Sequence, residues 1–243
     1  MDVERLAQRY AAARERVAAA AREAGREPAD VRLLLAVKTQ PPEVVRAVLE
    51  AGADLLGHNR AQELAVTGPR LAEPGVPAHE MHFIGHLQSN KVNQVLRWAT
   101  CVQTVDSVRL AERLDAAVAR RADDGGPASL DVMMQVNTSG EHTKSGVGPS
   151  DAVELAGAVG ALPRLRLRGL MTIGANSTDP SVVRASYDAL ADLRDRVVGS
   201  GAPGTADARE LSMGMSADLE IAVAAGATMV RLGTAVFGPR PAP

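Results

Sequence analysis

VRLLLAVK, residues 31–38, is a near-continuous apolar run that ends in a lysine. A strand covered on both faces reads this way, whereas a half-exposed strand alternates polar and apolar residues. The segment before it, residues 2–25, reads as an amphipathic helix ending at Gly25, with Pro28 just beyond. After it, Pro41 and Pro42 open a helical stretch that stops near Gly52. The strand–helix unit then recurs. Strands are expected over 31–38, 54–57, 80–84, 100–105, 130–137, 164–173, 209–213 and 228–232. Helices are expected near 59–66, 89–97, 107–121, 149–160, 180–198 and 216–225. The Gly/Pro stretches 68–77 and 199–207 read as loops, and RPAP (240–243) as a short tail.

Eight strands alternating with helices argue for parallel βα units. The fold class predicted is α/β: a single (β/α)8 TIM barrel with an extra N-terminal helix. A doubly wound open sheet is the alternative. One domain is expected over 1–243, with the helix at about 2–25 and the barrel at about 31–238. The length agrees with the roughly 250 residues typical of such barrels.

Aliphatic residues dominate, since only 2% of the chain is aromatic, so the core is expected to be Ala, Val, Leu, Ile and Met. A formal net charge of −2 gives no electrostatic case for nucleic acid or an anionic membrane as partner. The charged N-terminus lacks the apolar stretch of a signal peptide, and no apolar run approaches a membrane span. Cys101 stands alone, without a disulfide framework or a Cys-based zinc site. A cytoplasmic protein is the expectation.

In a barrel the chemistry lies on the loops after the C-terminal ends of the strands. Lys38 ends the first strand, where desolvation favours the neutral amine that forms imines with carbonyls. LSMGMSADL (211–219) reads as strand, glycine turn and helix, with Ser216 near the N-cap. RLGTAVFG (231–238) reads as strand eight followed by a short turn or helix. Barrels frequently bind phosphate with the loops after strands seven and eight. Ser216, Gly233 and Thr234 suit that role: small residues let backbone N–H groups approach, and hydroxyls add donors. A lysine after strand one and a phosphate cradle after strands seven and eight suggest an aldehyde cofactor with a phosphate arm. Arg231, beside the cradle, would face either a ring nitrogen or the phosphate.

Seven stretches resemble the YggS/PROSC family of homeostasis proteins that bind pyridoxal 5′-phosphate (PLP). They are AVKTQPP (36–42), LGHNRAQE (56–63), HFIGHLQSNK (82–91), VNTSGEHTKSGV (136–147), LRLRGLMTI (165–173), LSMGMSADLE (211–220) and MVRLGTAVFG (229–238). The barrel of that family is similar to the alanine racemase N-terminal domain. The resemblance implies PLP held as a Schiff base on Lys38. It implies Ser216, Gly233 and Thr234 around the phosphate, Arg231 close to ring or phosphate, and Asn59 and Met171 lining the pocket. The role it implies is binding, buffering or delivering PLP in vitamin B6 homeostasis, without robust turnover. Apo PLP-dependent enzymes would be the acceptors, and a monomer is expected. Two positions depart from the family pattern: His58 stands where an acidic residue is usual, and Val37 where serine is frequent. His58 is expected to titrate near neutral pH and to alter PLP release.

Other signals are set aside. His79, His82 and His86 are near in sequence but need not converge on a metal. GEHTKSG (140–146) lacks the glycine before the lysine that a P-loop needs. Lys144 is expected to be a solvated loop lysine that pairs with Glu141. A racemase-type PLP enzyme is the alternative function, but Tyr10 and Tyr187 lie in predicted helices away from the barrel mouth. An aldolase-type use of Lys38 would want carboxylates at strand ends, and Asp54 and Asp131 lie near strand starts.

Overall fold

The computed structural model describes residues 2–141 and 143–238. His142 and the RPAP tail lie outside the described residues. Helix α1 (Val3–Glu23) begins at Asp2, whose side chain accepts the Glu4 N–H at 3.1 Å. Its buried residues Leu6, Tyr10, Ala13, Val17, Ala20 and Ala21 recur every three to four positions, so one stripe faces the barrel. The chain then alternates strictly. In order it forms β1 (Arg32–Ala36), α2 (Pro42–Glu50), β2 (Leu55–His58), α3 (Ala61–Leu71), β3 (Glu80–Phe83) and α4 (Val92–Val95). These are followed by β4 (Cys101–Val105), α5 (Val108–Asp123), β5 (Leu130–Gln135), α6 (Ala152–Gly160), β6 (Leu165–Met171) and α7 (Pro180–Val198). The last elements are β7 (Glu210–Ser212), α8 (Leu219–Ala224), β8 (Met229–Leu232) and α9 (Thr234–Phe237).

The eight strands close into one parallel barrel in sequence order, with β8 pairing β1 through Leu34↔Arg231 and Leu35↔Leu232. The open-sheet alternative is thereby excluded. The main apolar core lies between strands and helices, while Leu34, Leu55, Met229 and Ile84 form a small plug inside the barrel. No described helix is long and apolar enough to cross a membrane.

Two of the boundaries that differ from expectation bear on packing and on the site. Helix α3 does not stop before residue 68 but continues through Gly68 and Pro69 to Leu71. A Cβ on Gly68 would stand 2.3 Å from the Trp98 ring, so the glycine lets this turn pack on the indole. Helix α8, expected from residue 216, starts at Leu219 with Asp218 in the N-cap position, so Ser216 lies two residues before the N-cap. The Asp218 carboxylate takes the Met215 N–H at 2.6 Å, which closes residues 215–218 as a turn before the helix begins.

Candidate functional site

Side-chain alternation along each strand decides which residues face the barrel axis. On β1 and its exit, Leu34 belongs to the axial plug, and Ala36 and Lys38 line a cavity directly above it. On β2, Leu55 joins the plug while Gly57 and Asn59 line the same cavity. That cavity, of about 650 Å³, opens at the C-terminal ends of the strands. All seven residues singled out in the sequence, Lys38, Asn59, Met171, Ser216, Arg231, Gly233 and Thr234, line it.

The backbone just past Lys38 is strained. Thr39 has φ 64°, the left-handed region that a β-branched residue rarely occupies. Its hydroxyl donates to the Lys38 carbonyl at 2.6 Å, and its N–H donates to Glu63 Oε2 at 3.2 Å. The Gln40 N–H donates to the Val37 carbonyl at 3.1 Å, closing the turn ahead of Pro41 and Pro42. Lys38 is thus held where the chain leaves the strand, on a corner fixed from α3.

Arg231 is 7% exposed and donates through Nη1 to Ser212 Oγ at 3.0 Å and through Nη2 to the Thr172 carbonyl at 2.7 Å. Burial pushes its pKa down, opposed by Tyr187 and Asp218. A guanidinium nevertheless stays charged at neutral pH. Below it, Ser212 Oγ contacts Gln103 Oε1 at 2.7 Å, Gln103 Nε2 contacts His82 Nδ1 at 2.7 Å, and His82 Nε2 contacts Glu80 Oε2 at 3.2 Å. This polar line down the barrel was not singled out in the sequence. Its signal was a buried-strand position given to a polar residue on each of three strands, His82 in EMHF, Gln103 in CVQTV and Ser212 at the end of ELS. His82 is committed to that line, while His79 Nδ1 lies 2.9 Å from the Pro77 carbonyl. Among the described residues, no group of three His, Cys, Asp or Glu side chains is arranged to hold a metal.

The loop after β7 is shaped from several sides. Gly214 has φ +91°, and a Cβ there would stand 2.4 Å from Ala222 Cβ. Tyr187 donates its hydroxyl to Asp218 Oδ2 at 2.8 Å, and burial, with Asp218 beside it, raises the phenol pKa well above its usual range. Tyr187 is therefore not remote from the mouth, as the sequence suggested, but braces the loop from behind. Among the described residues the Ser216 hydroxyl has no hydrogen-bond partner and the Ser216 and Ala217 N–H groups have no acceptor. Both residues line the cavity. On the loop after β8, a Cβ on Gly233 would come within 3.2 Å of the Ala36 carbonyl oxygen.

Lys144 also lines the cavity and is not a solvated loop lysine. Its side chain is 16% exposed and its Nζ donates to Glu141 Oε1 and to the Gly174 carbonyl, each at 2.6 Å. The pairing with Glu141 is as expected. His58 departs further from expectation. It is fully buried on the outward-facing row of β2, and among the described residues neither ring nitrogen has a hydrogen-bond partner. Burial lowers its pKa to about 4, so it does not titrate near neutrality.

These features can be set against known proteins. The model of the alanine racemase N-terminal domain family matches residues 8–241. The pyridoxal phosphate homeostasis protein of Escherichia coli K12 is 40% identical over 242 residues, covering 97% of each chain. That of Pseudomonas aeruginosa is 41% identical over 236 residues, covering 97% of this chain and 96% of its own. The chain belongs to the pyridoxal phosphate homeostasis protein family. PipY of Synechococcus elongatus, solved with PLP bound, is 29% identical with a TM-score of 0.80, covering 96% of this chain and 100% of its own. The alanine racemase of Corynebacterium glutamicum is 17% identical with a TM-score of 0.70, covering 99% of this chain and 62% of its own. The homeostasis family and the racemase thus share a barrel, and at that identity the likeness is one of fold alone. The matching relatives are named for homeostasis, not for a reaction.

Proposed function

We propose that this chain binds PLP in the cavity above the axial plug, as a Schiff base on Lys38, and serves PLP homeostasis as a carrier or buffer. The observation that carries this reading is convergence. A lysine on a fixed corner after β1 and small, hydroxyl-bearing loops after β7 and β8 open on one cavity of about 650 Å³. The residues fit the group. Ser216, Ala217, Gly233 and Thr234 bring hydroxyl and backbone donors to the phosphate end. Asn59 Oδ1 is buried without a partner among the described residues and can accept from a donor in the cavity. Arg231 presents a fixed cation, and Met171 an apolar wall. PLP supplies an aldehyde that condenses with an amine, and that PipY was solved with PLP bound supports the same chemistry here.

The carrier reading rests on how the tyrosines are used. A racemase-type reaction needs a second proton donor and acceptor beside the lysine. Tyr10 donates to the Gly52 carbonyl at 3.1 Å and Tyr187 to Asp218. Both hydroxyls are engaged in holding structure. Apo PLP-dependent enzymes are the acceptors in this reading, and the chain acts as a monomer.

Lys38→Ala is the direct test. Wild type with PLP should show the long-wavelength band of an imine, and borohydride should fix the added mass on the peptide that carries Lys38. The variant should show neither. A reduced adduct found only on another peptide would overturn the assignment. Exchange of amino-acid Cα protons in deuterated water should stay at background, and clear exchange would favour the racemase-type alternative.

A further inference from the structure

We propose that Arg16, on the N-terminal helix, is a positioning residue for the phosphate end of the site. The inference rests on the reading that the PLP phosphate lies against the loops after β7 and β8. Arg16 Nε and Nη2 donate to Glu220 Oε1 and Oε2 at 2.7 and 2.8 Å, a two-pronged pair that fixes the guanidinium plane against α8. With the plane fixed, Nη1 donates to the Ser216 carbonyl at 2.9 Å.

The consequence follows from peptide geometry. In a trans peptide the C=O and the following N–H lie in one plane and point in opposite directions. The chain has no cis bond among its described residues. Arg16 draws the Ser216 carbonyl toward α1, so the Ala217 N–H of the same peptide points the other way. Ala217 lines the cavity, and its N–H has no acceptor among the described residues. The N–H is thereby aimed at the phosphate. Asp218 does the complementary work two peptides earlier in the loop, because it takes the Met215 N–H at 2.6 Å and turns it back into the loop.

Glu220 balances the charge of Arg16, so the arginine acts by orientation and not by adding positive field to the site. Lysine could keep the ion pair but could not supply three directed bonds in one plane. Helix α1 is thus a latch on the phosphate loop, although it contributes no residue to the cavity lining.

The test compares PLP with pyridoxal, which lacks the phosphate, on wild type, Arg16→Ala and Arg16→Lys. Dissociation constants are read by absorbance titration, the bound phosphate by its phosphorus NMR shift, and folding by circular dichroism. PLP should weaken by about tenfold in both variants, the worth of one hydrogen bond to a charged group. Pyridoxal should be unchanged, and the phosphorus shift should move. Arg16→Lys keeps α1 docked, so a loss there is not a loss of fold. An unchanged ratio of PLP to pyridoxal affinity in both variants overturns the proposal, as does an equal loss for the two ligands. If wild type itself shows no preference for PLP, the phosphate reading fails first, and Arg16 falls with it.

Discussion

The Arg231 guanidinium donates to Ser212 Oγ at 3.0 Å, and that one bond sets the direction of every hydrogen bond beneath it. Arginine has no acceptor, so Ser212 Oγ must accept from it. The serine proton then goes to Gln103 Oε1 at 2.7 Å, and the Gln103 amide turns its nitrogen to His82 Nδ1 at 2.7 Å and to Met229 Sδ at 3.1 Å. His82 Nδ1 is thereby an acceptor, and its proton sits on Nε2 facing Glu80. Ser212→Ala leaves the Arg231 N–H and the Gln103 carbonyl oxygen unpaired in the barrel interior. Urea unfolding should show a loss of about 1–3 kcal/mol, and the absorbance of bound PLP should shift as Arg231 relaxes. Stability and spectrum both unchanged would mean that Ser212 does not hold Arg231.

Gly85 lies against the backbone of Asn59. A Cβ added there would stand 2.0 Å from the Asn59 carbonyl oxygen and 2.7 Å from its Cα, so the Asn59 backbone must move. Asn59 lines the cavity, so under the proposed reading the displacement would reach PLP. Gly85→Ala should weaken PLP binding by about tenfold or more and destabilise the fold by about 1–3 kcal/mol. Gly148→Ala is the control, since its nearest neighbours are side-chain atoms at 3.7 Å. Equal behaviour of the two variants would refute the link between Gly85 and the site.

The barrel was legible because parallel strands buried on both faces leave near-continuous apolar runs such as VRLLLAVK, recurring in alternation with helical stretches. The cavity lining was legible because barrel position alone says which loops matter. The line from Arg231 to Glu80 was not. His82, Gln103 and Ser212 lie on three different strands, and only the closed register brings them together on the axis. The helix after β7 was expected from residue 216 but starts at Leu219, because the Asp218 carboxylate takes the Met215 N–H and holds the intervening residues as a turn, with Ser216 just ahead of the N-cap. Tyr187 was misjudged for a similar reason: helical periodicity marks it as buried but not that its hydroxyl reaches past α7 to Asp218.

At the other end of the polar line, Glu80 is held below the usual carboxylate range, at about 2, first by its hydrogen bond with His82 and then by Arg32 at 2.7 Å. A carboxylate held low stabilises the fold above its unfolded pKa and loses that contribution as pH falls through its folded value. Wild-type stability should therefore decline from about pH 4.5 toward pH 2, and Glu80→Gln should flatten that limb. The side chain is 48% exposed, so solvent screening keeps the effect small. Unfolding midpoints at pH 5 and pH 3 for the two proteins decide it: an identical decline in both removes Glu80 as the cause.

His58 governs a higher window. Its neutral ring is buried, and burial lowers its pKa from 6.5 to about 4. Below pH 6.5 the unfolded chain takes up a proton that the folded chain refuses, so stability falls with pH until about pH 4, where the folded ring also protonates. The loss across that window is about 3 kcal/mol. His58→Leu should remove this slope. It should also stabilise the protein at pH 7 by about 1–3 kcal/mol, because two buried nitrogens without partners among the described residues are replaced by apolar surface. PLP affinity should match wild type from pH 6 to 8, since the ring is neutral there and faces away from the cavity. Urea unfolding of both proteins at pH 7.5 and pH 4.5 is the measurement. A slope that survives in His58→Leu would assign the acid sensitivity to another group, and a pH-dependent change in PLP affinity confined to wild type would restore His58 as a regulator of the site.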